Sequence, residues 1–307
     1  MLRMPGVVDS NSPAHWQDGK LFLFNSVAMP IRSEGWTLDT LGQSRVVLFS
    51  HYQNLHRWIE STWRDPRTGR LYGWYHHEPG LVCENAPLTA PMIGAAVSED
   101  NGLSFTDLGI VLSSGDAPAC ESRNGYFAGG HGDFSVLLDE QGEYFYFYFG
   151  NYGGEDARQG VAVARMAFDD LDDPVGNLWK FADGEWNEPG LGGQVTPALP
   201  ARVNWQRSDT DAFWGASLHF NTALGKYVML LTRSCCHEGW PSEGTYVTFN
   251  TNLGDPLGWS EPKKLLHEAG WYPQVIGLQP LETDKRAGDA ARLFIGGESV
   301  WEIHFRP

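Results

Sequence analysis

Three acidic residues, Asp9, Glu60 and Asp133, stand at matching points of a repeated pattern. Each opens a unit in which a turn containing Gly19, Gly69 or Gly142 leads into a second β-prone run. A fourth unit, turning at Gly225, has Trp214 in that place. Carboxyl groups brought together can divide labour, because crowding raises one pKa and leaves another low. One group then holds a proton while another stays ionised, the pairing that cleavage of a glycosidic bond requires. Acids ahead of a strand also cap turns. Three of them at matched positions point instead to a functional cluster.

The units that must position these acids are hairpins. They span 9–25, 60–75, 133–148 and 214–231, each with two strand-like runs around a polar, Gly-containing turn. A second repeat follows in the outer half: a strand, a tight Asp/Gly turn, then an aromatic residue. It is seen at 93–105, 161–179 and 245–259, with a weaker counterpart at 45–49. A fifth unit runs from Tyr272 to Phe305 and is one strand short, so residues 1–8 are expected to help close the ring. No window sustains helical periodicity with caps. The pattern predicts an all-β fold: a five-bladed β-propeller of four-stranded antiparallel blades around a central channel, one domain over 1–307. The polar, Gly- and Pro-rich stretches 115–132 and 182–210 read as long loops that could wall off the channel.

In such a ring the starts of the first strands and the loops after the second strands share one face. That face is expected to carry Asp9, Glu60, Asp133 and Trp214. The post-hairpin loops would add Arg32, Trp36, His76, His77, Glu78, Asn151, Tyr152, Arg233, His237 and Glu238. Trp36, His77, Glu78, Trp214 and Arg233 are the expected substrate contacts, with Trp36, Trp74 and Trp214 able to stack on sugar rings. Arg32 and Arg233 could bind a uronic carboxylate or neutralise the acids. The pair His76 and His77 reads as hydrogen-bonded loop histidines, with a metal as the lesser reading.

Composition narrows the partners. The formal net charge is −16, which repels nucleic acid and anionic membrane surfaces. Aromatic residues make up 13% of the chain, including 13 Trp, more than strands alone need. The four cysteines, Cys83, Cys120, Cys235 and Cys236, have no metal-ligand spacing. The neighbours Cys235 and Cys236 read as reduced thiols rather than a disulfide framework. Residues 1–11 lack an apolar core, so no signal peptide is expected, and no apolar run reaches membrane-span length. The oligomeric state is not readable from the sequence.

The stretch Asp9-Ser-Asn-Ser-Pro, ahead of His-Trp-Gln-Asp-Gly-Lys-Leu-Phe-Leu-Phe, resembles the opening of five-bladed glycosidases. These include the arabinanase and xylosidase group called family 43, the fructan hydrolases, and the family 117 agar-oligosaccharide hydrolases. Gly132-Asp133-Phe-Ser-Val with Asp139-Glu-Gln-Gly resembles their third-blade motif. The resemblance implies a carbohydrate substrate, Asp9 as general base or nucleophile, and Asp133 as the group that tunes the acid and orients the sugar. No cofactor is implied as required, although a structural Ca²⁺ in the channel has precedent among the relatives. Family 43 and the fructan hydrolases place a Glu at the start of blade four, where this chain has Trp214. The general acid must come from elsewhere: Glu60 first, then Glu78, then Glu238, with His219 and His237 as alternatives. The segment Ser98-x-Asp-x-Gly-x-Ser-Phe105 resembles the Asp-box of sialidases, a structural turn. The expected activity is an exo-acting, inverting glycoside hydrolase. A non-catalytic carbohydrate-binding propeller and a metal-dependent propeller lactonase remain as alternatives.

Overall fold

The computed structural model describes residues 1–50 and 56–306. It is a five-bladed β-propeller, with five sheets ordered around an axis. Blade one is Ala14–Gln17, Lys20–Val27, Met29–Gly35 and Gln43–Val46. Blade two is Arg57–Arg64, Leu71–His77, Met92–Ser98 and Ser104–Leu112, and Leu48–Phe49 adds a parallel edge strand. Blade three begins with His131–Leu138 and Tyr144–Asn151, blade four with Ala212–Asn221 and Lys226–Ser234. Blade five is Gln274–Gly277, Ala290–Ile295 and Glu298–His304. Leu2–Arg3 completes it, Leu2 opposite Ser299 and Arg3 opposite Glu298, so the start of the chain closes the ring as expected. The blades are not uniformly four-stranded: the sheets hold four, five, six, five and four strands. The surplus comes from short segments of the connections, such as Leu199–Pro200, which pairs with Gly160 and Val161 of blade three. Among the described residues, helix is confined to three short 3₁₀ turns.

The alternation of apolar side chains on each strand explains how the blades pack. Each sheet presents one apolar face to the blade before it and one to the blade after it. Trp74, Phe134, Phe145 and Phe147 fill the space between blades two and three. Tyr148, Leu218, Met229 and Trp259 fill the next gap, and Val228, Val275 and Leu293 the one after. A further aromatic cluster lies at the end of the channel: Phe127, Tyr152, Trp205, Trp214, Trp240 and Tyr272. The Asp-box turn forms as expected. Asp100 accepts the backbone N–H groups of Leu103 and Ser104 at 3.0 and 2.8 Å, and Phe105 is buried.

The cysteines depart from their sequence reading. Cys83 and Cys120 form a disulfide across 37 residues of sequence, and Cys235 is paired with Cys236. The 83–120 pairing had no spacing signal because it depends on the long loop ahead of blade three folding back. Thr89 N–H donates to Tyr126 O at 3.1 Å, and Ala128 N–H to Thr89 O at 2.8 Å, which brings the two loops together.

Candidate active site

The first strands of blades two, three and four are each interrupted by a bulge at the same level. The register breaks between Ile59 and Ser61, between Gly132 and Ser135, and between Trp214 and Ser217. Glu60 in blade two, Asp133 with Phe134 in blade three, and Gly215 with Ala216 in blade four fall in these breaks. A bulge frees one residue from the ladder and re-aims its side chain. Asp133 takes the left-handed conformation there, with φ +45°. Asp is among the few non-glycine residues that do so readily. Thus the repeat seen in sequence has a backbone counterpart in blades two, three and four, one bulge in each first strand.

Asp9 and Asp133 line one cavity of about 280 Å³ at the end of the channel. Trp58, His76 and Glu78 continue the polar wall. Tyr126, Phe127, Trp214, Trp240, Trp271 and Tyr272 form the aromatic wall. No Lys or Arg is among the described residues that line it. Trp58 Nε1–H donates to Asp9 Oδ2 at 3.2 Å. Asp133 is buried and receives the hydroxyls of Tyr152 and Tyr272, the second at 3.1 Å.

Glu60 lies behind this wall. It is fully buried, and its Oε2 accepts the Phe134 N–H at 3.0 Å. His76 stands between it and Glu78. Its Nδ1 is 3.3 Å from Glu60 Oε1, and its Nε2 is 3.3 Å from Glu78 Oε1. The Asp133 backbone N–H also faces Nδ1, at 3.2 Å. A neutral ring accepts that N–H and donates Nε2–H to Glu78; a protonated ring donates to Glu60 as well.

Burial is the largest influence on the acids. It pushes Asp9 up to about 6, reinforced by the charge of Asp133. Burial likewise pushes Glu60 up to about 7, against the hydrogen bond from His76. Asp133 is raised by burial, with His76 and the two tyrosines opposing. For His76 burial acts downward, but the hydrogen bonds to Glu60 and Glu78 and the charge of Asp133 win and bring it to about 10.

Other expected contacts lie elsewhere. The hairpin of blade one turns at Ala28, where Val27 pairs with Met29. Arg32 therefore lies on the third strand and Trp36 just after it, rather than in a post-hairpin loop. Arg32 is buried and donates to Asn101 O at 2.6 Å, and Trp36 is 62% exposed beside Lys20, off the cavity. His77 alternates to the other face of its strand from His76, its Nδ1 3.1 Å from His56 O. Arg233 is held by both oxygens of Asp211, at 2.7 Å each, and does not line the cavity. Trp74 is core, and so is His219, which burial and Lys285 push down to about 3. His237 and Glu238 do not line the cavity either. The sequence reading missed Trp58, Tyr126, Phe127, Trp240 and Trp271. Trp58 alone had a signal, being two residues before Glu60 on one strand.

Glu60, His76 and Asp133 each offer an atom within 4.8 Å of the others, which raises the question of a metal. Ca²⁺ takes six to eight oxygens. Here both Asp133 oxygens and one Glu60 oxygen are engaged by hydrogen-bond donors, and an imidazole sits at the centre. The set does not fit Ca²⁺.

The disulfide braces this site. Cys83 lies in the loop that carries Glu78 and Pro87, and Cys120 in the loop that carries Gly125 to Phe127. Cys83→Ser is expected to lower the free energy of unfolding by about 4 kcal/mol, from the loop-closure entropy of a cross-link of this span. An unchanged denaturation midpoint under oxidising conditions would contradict a structural bond.

The fold is the five-bladed propeller architecture also found in family 43 and family 62 glycosidases. No family model and no curated protein matches the sequence. Among solved structures, the endo-arabinase from Bacteroides thetaiotaomicron is similar over 100% of this chain and 96% of its own, at 13% identity and TM-score 0.57. The exo-β-1,3-galactanase from Phanerochaete chrysosporium is similar over 95% of this chain, at 12% identity and TM-score 0.55; the chain spans 59% of its length. The catalytic domain of the Coprinopsis cinerea family 62 α-L-arabinofuranosidase is similar over 95% of this chain and 83% of its own, at 10% identity and TM-score 0.52. These neighbours are glycoside hydrolases; at such identities the likeness is one of fold.

Proposed function

We propose that the protein is an exo-acting glycoside hydrolase that removes one terminal sugar by inversion. The observation that supports this most is the convergence of Asp9, Glu78 and Asp133 on one small, aromatic-walled cavity. Its volume of about 280 Å³ is at the lower end for small-molecule pockets, which suits a single terminal residue. The tryptophan and tyrosine faces suit sugar rings. The lack of Lys and Arg in the lining argues against a uronic acid at this position.

Asp9 is assigned as general base and Glu78 as general acid, in preference to Glu60. A buried Glu60 behind His76 does not reach a leaving oxygen, whereas Glu78 borders the cavity. Water attacks the anomeric carbon as its proton passes to Asp9. The bond to the leaving oxygen breaks as Glu78 gives that oxygen a proton. Glu60 and His76 form a hydrogen-bonded line behind Glu78 through which its proton can be replaced. Asp133, held by Tyr152 and Tyr272, is placed to accept a sugar hydroxyl. Inversion needs carboxyls about 6.5–9.5 Å apart, with room for water. Trp58 is bonded to Asp9 and His76 is bonded to Glu78, and the two rings are 5.3 Å apart. That sequence of groups favours the wider spacing.

The test is a panel of aryl glycosides and plant and algal oligosaccharides. Release of one terminal sugar is the expected outcome. Trp214 at the usual position of the blade-four acid favours a second reading, a sugar-binding propeller. Saturable sugar binding with no sugar released from any member of the panel would support it.

A further inference from the structure

Beyond the cavity, the channel axis holds one ion pair that reaches every blade. Lys285 and Asp284 precede the short strand Arg286–Ala287, in the connection of blade five. Lys285 Nζ donates to Ser61 Oγ of blade two at 3.0 Å and to Ser135 Oγ of blade three at 2.9 Å. It pairs with Asp284 Oδ2 at 3.2 Å. Asp284, itself buried, accepts the Ala14 N–H of blade one at 2.8 Å. The Lys285 carbonyl accepts the Phe220 N–H of blade four at 3.0 Å. The two serines carry the tie onward. Ser61 Oγ accepts the Val136 N–H at 2.8 Å, and Ser135 Oγ accepts the Leu218 N–H at 3.2 Å.

These contacts sit directly behind the bulges. Ser61 follows Glu60, and Ser135 is two residues after Asp133. We propose that Lys285 is a positioning residue of the site: a resident ammonium, held by Asp284, that fixes the bulged strands presenting Glu60 and Asp133. The proposal rests on the acid–base reading above but has a readout independent of it. Burying an ammonium is costly unless its donors are satisfied. Here three oxygens from three blades meet its three protons, so the group has a defined place only when the ring is closed. It also puts a positive charge on the serines that neighbour Glu60 and Asp133 along their strands, while His76 is the cation in direct contact with Glu60. The other titratable group near Lys285, His219, is buried and pushed toward its neutral form.

The experiment compares Lys285→Met and Lys285→Arg with the unaltered protein. Three quantities are read: the pH–rate profile on an aryl glycoside, the separate values of kcat and KM, and the NMR titration of the His76 imidazole. Lys285→Met is expected to lower kcat at least about tenfold with KM nearly unchanged, since no substrate contact is lost. Losing a cation favours protonated carboxyls, so the acidic limb should move up by about one pH unit. His76 should hold its proton to higher pH. Lys285→Arg keeps the charge and should restore both titrations. A purely structural role would lower the folded fraction without moving the limb or the His76 titration, and that result would overturn the proposal. Where no glycoside is turned over, the His76 titration alone distinguishes the two roles. If Lys285→Met does not fold, the pair Ser61→Ala and Ser135→Ala keeps the ammonium and removes the two hydroxyls, together with their bonds to the Val136 and Leu218 N–H groups. The same fall in kcat is expected there, and full kcat would contradict the assignment; where no turnover exists, an unchanged His76 titration in this pair does so.

Discussion

Asp9→Asn is expected to reduce turnover by about 10²–10⁴, the usual contribution of a positioned general base, while sugar binding stays within a few-fold. The amide keeps the size of the carboxyl, so the cavity keeps its shape. It cannot take the proton of an attacking water. The pH profile of the unaltered protein should carry the same signature. Asp9 is raised to about 6 by burial and by the charge of Asp133, and it acts only when ionised. Activity should therefore fall as the pH drops through about 6, well above where an exposed carboxylate would be protonated. Equal loss of binding and turnover in Asp9→Asn would assign it a structural role. So would an acidic limb near the ordinary carboxylate range.

The second large effect is expected at Glu78, and it depends on the leaving group. Glu78→Ala should cut hydrolysis of poor leaving groups by about 10²–10⁴. An activated aryl glycoside, whose phenolate departs without protonation, should lose far less. The comparison is internal, since both substrates place the same sugar in the same cavity. Damage of equal size on both would mean that Glu78 serves binding. No damage on either would return the role of acid to another group, and Glu60→Gln would then be tested in the same way. With Glu78 as acid, Glu60→Gln should weaken both substrates modestly, because it alters the line through His76 and not the group that touches the leaving oxygen.

The repeats were readable because a propeller repeats its chemistry. The strand–turn–strand units locate the first strands of blades one to four; Glu60 and Asp133 each stand in a bulge of a first strand, whereas Asp9 lies ahead of the first strand of blade one. The closing contribution of residues 1–8 was readable from the missing strand of blade five. Errors came where geometry is set by conformations that leave no trace in residue type. Ala28 makes the tight turn of blade one at φ +56°, a position usually signalled by glycine or asparagine. Missing that turn put Arg32 and Trp36 in a loop after the second strand, rather than on the third strand and just beyond it. Trp240 and Tyr272 take φ +54° in the same manner, and both line the cavity. Depth was equally hidden. Glu60 and Glu78 are both acids of blade two, yet one is fully buried and the other borders the cavity, a difference made by the side chain of His76 between them. Arg233 was a reasonable sugar contact by residue type, but Asp211, across the first two strands of blade four, holds it.

The most direct measurement of the central claim is a proton NMR time course of hydrolysis, recording which anomer of the released sugar appears first. A base at Asp9, bonded to Trp58, and an acid at Glu78, bonded to His76, act in a single displacement. The account predicts that the first-formed anomer is opposite to that of the substrate and then relaxes by mutarotation. First appearance of the same anomer as the substrate would require a covalent intermediate on closely spaced carboxyls and would contradict it.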